Sequence, residues 1–476
     1  MIPRTLTLLA CACASAMTGH AQSIVTAPFA AIPLGRAGDV TGDGIDDLLV
    51  QIGSNFEVLD ATTNAPIPWL QRNAVAFPGV TLRYTPVGDY DGDGKDDLFH
   101  WVQGNFSGVF TLVSGADGSA LFTINGPCNI GGGTDFDGDG RSDVLYAQGG
   151  YGIVRSARTG AVLHQLVPPL LPTTNSPFYT GMTPAGDENG DGRGDVIANY
   201  DTYIFTNLLR LVVRAPGIEI NLERATAVGD VTGDGKADFW SALVSVSGQE
   251  GIFAGGSSAL VWPMPNVQAS PLGDVDGDGV DDITAVFWLG TGFVYQPRSG
   301  ATHVALPGAA ATSAPVLLGD IDGDGRSDSV MSGLRYEWSD PALPVASRML
   351  RRGKPGTTND GRKPYLVTRG HCGLGHTAFF DMRGGLPNGL TLLFYGSSID
   401  VDLAGIGAPN NRCYTSLAGG LAFVANADGI AQYQATMPVT PSLLGASLSL
   451  QSVVVDPAAN ALGLVTSNAV DITTNN

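Results

Sequence analysis

Gly88-Asp89-Tyr90-Asp91-Gly92-Asp93-Gly94-Lys95-Asp96-Asp97 is the stretch that decides how this chain folds. Counted from Asp89, acidic side chains stand at positions 1, 3, 5 and 9, with glycines at 4 and 6. Carboxylates two residues apart, turned inward by a glycine-permitted tight loop, make the oxygen cage that a hard cation such as calcium prefers. The pattern recurs six more times, from Asp39, Asp135, Asp187, Asp230, Asp274 and Asp320, and successive starts lie 50, 46, 52, 43, 44 and 46 residues apart. A period in that range marks a propeller or solenoid array.

Outward from each loop the pattern is one of short strands. Thr81 to Val87 reads as a strand entering the loop and Leu98 to Val102 as one leaving it. Gly108 to Ser114 and Ala120 to Ile124 follow, around the turn Ala116-Asp117-Gly118. Four strands with glycine-centred turns in roughly 45 residues make a propeller blade. The expected fold is all-β, with a seven-bladed β-propeller over residues 22–347. A strand-like run between Ser23 and Leu34 is expected to pair into the last blade and so remove an exposed edge. Residues 348–364 read as a basic linker, with Arg348, Arg351, Arg352, Lys354, Arg362 and Lys363 among glycines and prolines. Residues 365–476, with runs such as Leu390 to Tyr395 and Ser447 to Val455, fit a small β-sandwich.

The net charge is −20, and its location decides what it means. The seven nine-residue loops hold 29 of the 45 acidic residues and five basic ones, so they carry −24 while the rest of the chain sums to +4. The acidity is a metal-site signature and not a cue to a cationic partner. Basic residues interleaved with aromatics, which would point to nucleic acid, are absent.

Arg4, the apolar run Leu6 to Met17 and the small-x-small site Gly19-His20-Ala21 read as a signal peptide over residues 1–21. Leu8-Leu9-Ala10-Cys11 offers a lipoprotein alternative with a short apolar core. The expected location is outside the cell or on its surface, with no membrane-spanning stretch. Export makes Cys372–Cys413 a plausible disulfide and leaves Cys128 as an unpaired thiol.

The repeated D-x-[DNT]-G-D-G-x-x-D resembles the FG-GAP, or VCBS, repeat of integrin α heads and many secreted bacterial proteins. The resemblance covers residues 23 to about 345 and implies a propeller with up to seven Ca2+ ions, each held between the first two strands of a blade. Carried over by position, the implied side-chain ligands are Asp39, Thr41, Asp43 and Asp47, then Asp89, Asp91, Asp93 and Asp97, then Asp135, Asp137, Asp139 and Asp143. Asp187, Asn189, Asp191 and Asp195 follow, then Asp230, Thr232, Asp234 and Asp238. The sixth set is Asp274, Asp276, Asp278 and Asp282, and the seventh Asp320, Asp322, Asp324 and Asp328. Position 7 would add the backbone carbonyls of Ile45, Lys95, Arg141, Arg193, Lys236, Val280 and Arg326. Thr41 and Thr232 stand where other loops have Asp or Asn, so sites one and five are expected to bind most weakly.

These loops are not EF-hands. Position 12 holds Val50, His100, Tyr146, Ala198, Ser241, Ala285 and Met331, none of which can supply the closing carboxylate. Neither H-E-x-x-H nor G-x-S-x-G occurs. Arg193-Gly194-Asp195 spells an adhesive tripeptide, but Asp195 is a loop ligand position. The expected function is an extracellular binding or adhesion module for a glycan or protein, with Trp101, Tyr151, Tyr203 and Trp288 as conceivable contacts. A polysaccharide lyase or hydrolase on the same propeller, or a purely structural surface protein, are the alternatives.

Overall fold

The computed structural model describes residues 23–474 apart from 27–31, 53–54, 74–80, 104–107, 127, 168–177, 203–204, 215–217, 224, 244–248, 258, 291, 307–310, 312, 322–325, 332–333 and 338–347. The signal-peptide reading lies outside these residues. The described part is all-β, with antiparallel strands and three short 3-10 turns. No helix in it is long and apolar enough to cross a membrane.

Each acidic loop joins the first two strands of one small meander. The second sheet runs Thr81–Gly88, Asp97–Gln103, Val109–Val113 and Ala120–Asn125, in sequence order. The other loops build sheets of the same order, although three strands are described in the sixth, beginning Gln268–Gly273, Asp282–Trp288 and Phe293–Arg298. In the seventh, Ser23–Thr26 pairs antiparallel with Leu334–Glu337, so the start of the described chain closes the last sheet as expected.

The first strand of each sheet packs against the first strand of the next, and Val316–Gly319 of the last packs against Ile32–Gly38 of the first. The sheets therefore form the closed ring of a propeller. Its hydrophobic core is divided accordingly. Val87, Phe99 and Leu112 meet Val144 and Tyr146 between the second and third sheets, and Leu48 and Val50 meet Leu318 and Val330 between the first and last.

A backbone bond repeats around this ring. In loops two to seven the position-8 N–H donates to the position-1 carbonyl of the loop before it: Asp96 to Asp39 at 2.8 Å, Ser142 to Asp89 at 2.9 Å, and Gly194 to Asp135 at 2.9 Å. Ala237 to Asp187, Asp281 to Asp230 and Ser327 to Asp274 continue the series at 2.9, 3.0 and 2.7 Å. Such close approach leaves no room for a side chain just before position 1. A Cβ at Gly38, Gly88, Gly186, Gly229, Gly273 or Gly319 would strike Asp96, Ser142, Ala237, Asp281, Ser327 or Asp46, the position-8 residue of the next loop. The third loop inverts the arrangement. Thr134 stands where the glycine would be, and the facing position 8 is Gly194, where a methyl group would fall on the Thr134 hydroxyl.

After the ring, Arg348–Arg352, Leu464–Thr473, Ser447–Val455, Leu390–Gly396 and Gly419–Val424 form one sheet in that order. Tyr365–Gly370, Thr377–Arg383 and Ala431–Thr436 form a second. Leu366, Phe380 and Met382 of the second sheet share a core with Leu393, Leu450 and Ile472 of the first. Two expectations are corrected here. The stretch read as a linker opens with a strand, since Arg348–Arg352 pairs residue for residue with Leu464–Thr473. Cys372 and Cys413 are not bonded. Cys372 is buried in the shared core with its thiol towards the Thr473 carbonyl at 3.6 Å, while Cys413 lies on a separate hairpin with its thiol towards Thr415.

Gly194→Ala should lower stability by about 2 kcal/mol through overpacking. Adding Thr134→Gly in the same chain should restore most of that loss, because the two residues share one space. Thermal unfolding of the single and double variants checks this, and additive losses would contradict it.

Candidate metal centres

Within each loop the side chains have distinct tasks. The position-1 carboxylate organises the turn: Asp89 Oδ1 accepts the N–H groups of Gly92 and Asp93 at 2.6 and 3.0 Å, and Oδ2 accepts that of Gly94 at 2.9 Å. Asp39, Asp187 and Asp274 repeat this set. Position 5 accepts the N–H of position 7, as in Asp43 to Ile45, Asp93 to Lys95, Asp139 to Arg141, Asp191 to Arg193, Asp234 to Lys236 and Asp278 to Val280. Position 9 ties the loop to its blade. Asp97 accepts from Tyr90 at 2.8 Å and from Gly115, beyond the third strand, at 2.9 Å. Asp47, Asp143, Asp238 and Asp282 make the equivalent pair of contacts, and all seven position-9 side chains are buried.

Among the described residues, positions 1, 3 and 9 converge in three loops. Asp89, Asp91 and Asp97, Asp135, Asp137 and Asp143, and Asp274, Asp276 and Asp282 each bring three carboxylate oxygens within 4.8 Å of one another. Three hard anionic oxygens at that spacing suit a divalent cation bound at about 2.3–2.6 Å. Asp135 Oδ1 is buried without a hydrogen-bond partner among the described residues, which also fits a cation. Thr41, Thr232 and Asn189 interrupt the carboxylate set in loops one, five and four. In loop seven Asp320, Arg326 and Asp328 are described, while Asp322 and Asp324 lie outside the described residues.

The electrostatics are those of crowded, dry carboxylates. Burial, then Asp89 and Asp91, pushes Asp97 well above the usual carboxylate range. Burial raises Asp89 and Asp230 to about 7, although Arg351 opposes it at Asp89 and the Gly235 N–H at Asp230. Burial raises Asp282 too, followed by Asp276 and Asp274.

The C-terminal sheets cover the loop face. Gly44, Gly94, Gly140, Gly192, Gly235 and Gly279, the position-6 glycines, lie directly against Arg351, Lys354, Lys363, Ile430, Phe379 and His371. Arg351 reaches Asp39 at 3.4 Å and Asp96 at 3.0 Å, Arg383 reaches Asp135 at 3.5 Å, and Arg369 reaches Asp187 at 3.4 Å. A cavity of about 800 Å³ remains between ring and cover, lined by Arg36, Asp46, Asp96, Arg351, Tyr365 and Arg383 among others. The basic stretch thus faces an anionic surface belonging to its own chain. Within the adhesive tripeptide, Arg193 pairs with Asp428, Gly194 packs on Thr134, and Asp195 is buried.

Sequence reasoning missed position 8. The available signal was that Asp46, Asp96, Ser142, Gly194, Ala237, Asp281 and Ser327 are all short, with glycine before position 1 everywhere except at Thr134.

No family profile matches the sequence, and no curated protein does. Among solved structures, the chain is similar to the Bacillus licheniformis rhamnogalacturonan lyase PL11, with TM-score 0.33 and 13% identity over 90% of this chain and 80% of that one. It is similar to the Dos1 propeller, with TM-score 0.34 and 11% identity over 72% and 93%. It is also similar to the WD40 domain of SCAP from fission yeast, with TM-score 0.32 and 9% identity over 95% and 97%. Likenesses this distant carry no inference about the chain's activity, and the FG-GAP resemblance rests on the loops alone.

Without a cation, the folded loops hold protons that the unfolded chain releases near the usual carboxylate value of 3.8. The metal-free protein should therefore be most stable in mild acid and lose stability as pH rises through about 7. Saturating calcium should restore stability at pH 8, where the carboxylates are ionised. Melting temperatures across pH, with chelator and with calcium, test this; curves that coincide at pH 8 would contradict it.

Proposed function

We propose that the chain is a secreted, calcium-bearing, seven-bladed FG-GAP-type propeller with a C-terminal β-sandwich, working as an extracellular glycan-binding module. The loop residues at positions 1, 3, 5, 7 and 9 would hold up to seven Ca2+ ions, and the ions would pin the hairpins rather than carry out chemistry.

The observation that carries the binding role is an exposed aromatic tip. Strand Asp282–Trp288 begins at the sixth acidic loop and ends at a hairpin whose far side begins at Phe293. Seven residues of strand place this tip roughly 20 Å from the loop. Trp288 is 60% exposed, Phe293 50% and Leu289 66%. The two rings lie 4.9 Å apart, and a Cβ at Gly290 or Gly292 would meet nothing. Tyr151, at the equivalent hairpin of the third sheet, is 40% exposed. The side chain of Trp101 and residue Tyr203 lie outside the described residues. Because the C-terminal sheets cover the opposite end of the ring, a large ligand has its access here, and exposed aromatic faces suit the C–H faces of sugars.

A glycan array probed with the calcium-loaded protein should give a defined set of hits. Trp288→Ala should reduce them at least about ten-fold with an unchanged melting temperature. Retained binding in that variant would remove the tip from the site. An array without hits would favour a protein ligand, and cleavage of an array polysaccharide would favour the lyase or hydrolase alternative.

A further inference from the structure

Loops with similar numbers of carboxylates do not receive similar treatment from the C-terminal sheets. Arg351, Arg383 and Arg369 each place a guanidinium nitrogen 3.4–3.5 Å from the position-1 Oδ2 atom of loops one, three and four. Two of these side chains are aimed rather than merely nearby. The buried carboxylate of Asp381 binds Arg369 through both oxygens, at 2.7 and 3.0 Å, and lies 3.7 Å from Arg383. Gln432 Nε2 donates to the same carboxylate at 3.0 Å, fixing it further.

Loop six is the contrast. It holds five acidic residues and no basic one. The C-terminal residue set against its Gly279 is His371, and no arginine reaches Asp274 among the described residues. Counting ligands ranks loop three beside loop six, since both bring positions 1, 3 and 9 together as carboxylates. The arginines separate them.

Taking the loops as calcium sites, as proposed above, we infer that Arg351, Arg383 and Arg369 are built-in counter-cations that hold the calcium affinities of loops one, three and four below that of loop six. A fixed guanidinium on the ligand carboxylate offsets the charge of the ion-free loop and repels an entering divalent ion. Even at the dielectric of water, one unit charge about 5 Å from a divalent ion changes its affinity by about ten-fold. The C-terminal sheets thereby sort the ring's loops into classes that the repeat does not distinguish.

Calorimetric titration of the chelator-stripped, full-length protein with calcium chloride tests this. The wild type should show more than one affinity class at unchanged fold. Arg383→Gln should move one ion into a tighter class by about ten-fold without changing the stoichiometry. His371→Arg, which sets a guanidinium over loop six, should move one ion out of the tightest class by a similar factor. Because Arg383 also contacts Asp381, circular dichroism is recorded for each variant; if Arg383→Gln does not fold, His371→Arg alone decides. Equivalent sites in the wild type, unchanged or weaker binding in Arg383→Gln, or an unaltered tightest class in His371→Arg would each overturn the inference. Absence of any calcium heat in the wild type would instead remove the calcium reading itself, and this inference with it.

Discussion

The ring depends on one backbone hydrogen bond, from position 8 of an acidic loop to the carbonyl of position 1 in the loop before it. Six such bonds, from Asp96 to Asp39 through Ser327 to Asp274, join consecutive loops, and Gly319 against Asp46 brings the last loop to the first. Because the acceptor belongs to the residue whose side chain organises the turn, loop order and ring closure are one requirement. A loop that loses its shape moves a carbonyl that its neighbour needs. Whatever holds the carboxylates together therefore helps hold the blades together, alongside the hydrophobic clusters between sheets.

The same economy sets the electrostatics. Buried carboxylates are tolerable only with a counter-charge or a proton. Position 1 receives backbone N–H groups and, at Asp39, Asp135 and Asp187, a guanidinium. Position 9 receives two or more N–H groups at Asp47, Asp97, Asp143, Asp238 and Asp282. These dipoles lessen the cost without removing it, since desolvation still raises Asp97 and Asp274 well above their usual range. In loops two, three and six, where positions 1, 3 and 9 converge, a divalent ion would supply such a counter-charge.

What could be read in the sequence follows from this chemistry. Ligand spacing is local, so seven loops and the strands flanking them were legible, and their count gave the number of blades expected. The spare strand before the first loop was legible because an open edge is costly. The basic stretch from Arg348 was not, because its partners are 255 and 312 residues away in sequence and only the fold brings Arg351 to Asp39 and Asp96. Cysteine counting failed for a similar reason. An oxidising compartment permits Cys372–Cys413, but the direction in which each side chain points decides it, and Cys372 points into the core between two sheets.

Thr134 and Gly194 show where more could have been extracted. Aligning the loops with one another makes Thr134 look like a lapse in the glycine pattern. Aligning each loop with its successor makes it half of a compensated pair, since the missing glycine reappears at position 8 of the next loop. In a closed ring the informative comparison is between neighbours, because the space one loop gives up is the space the next one fills.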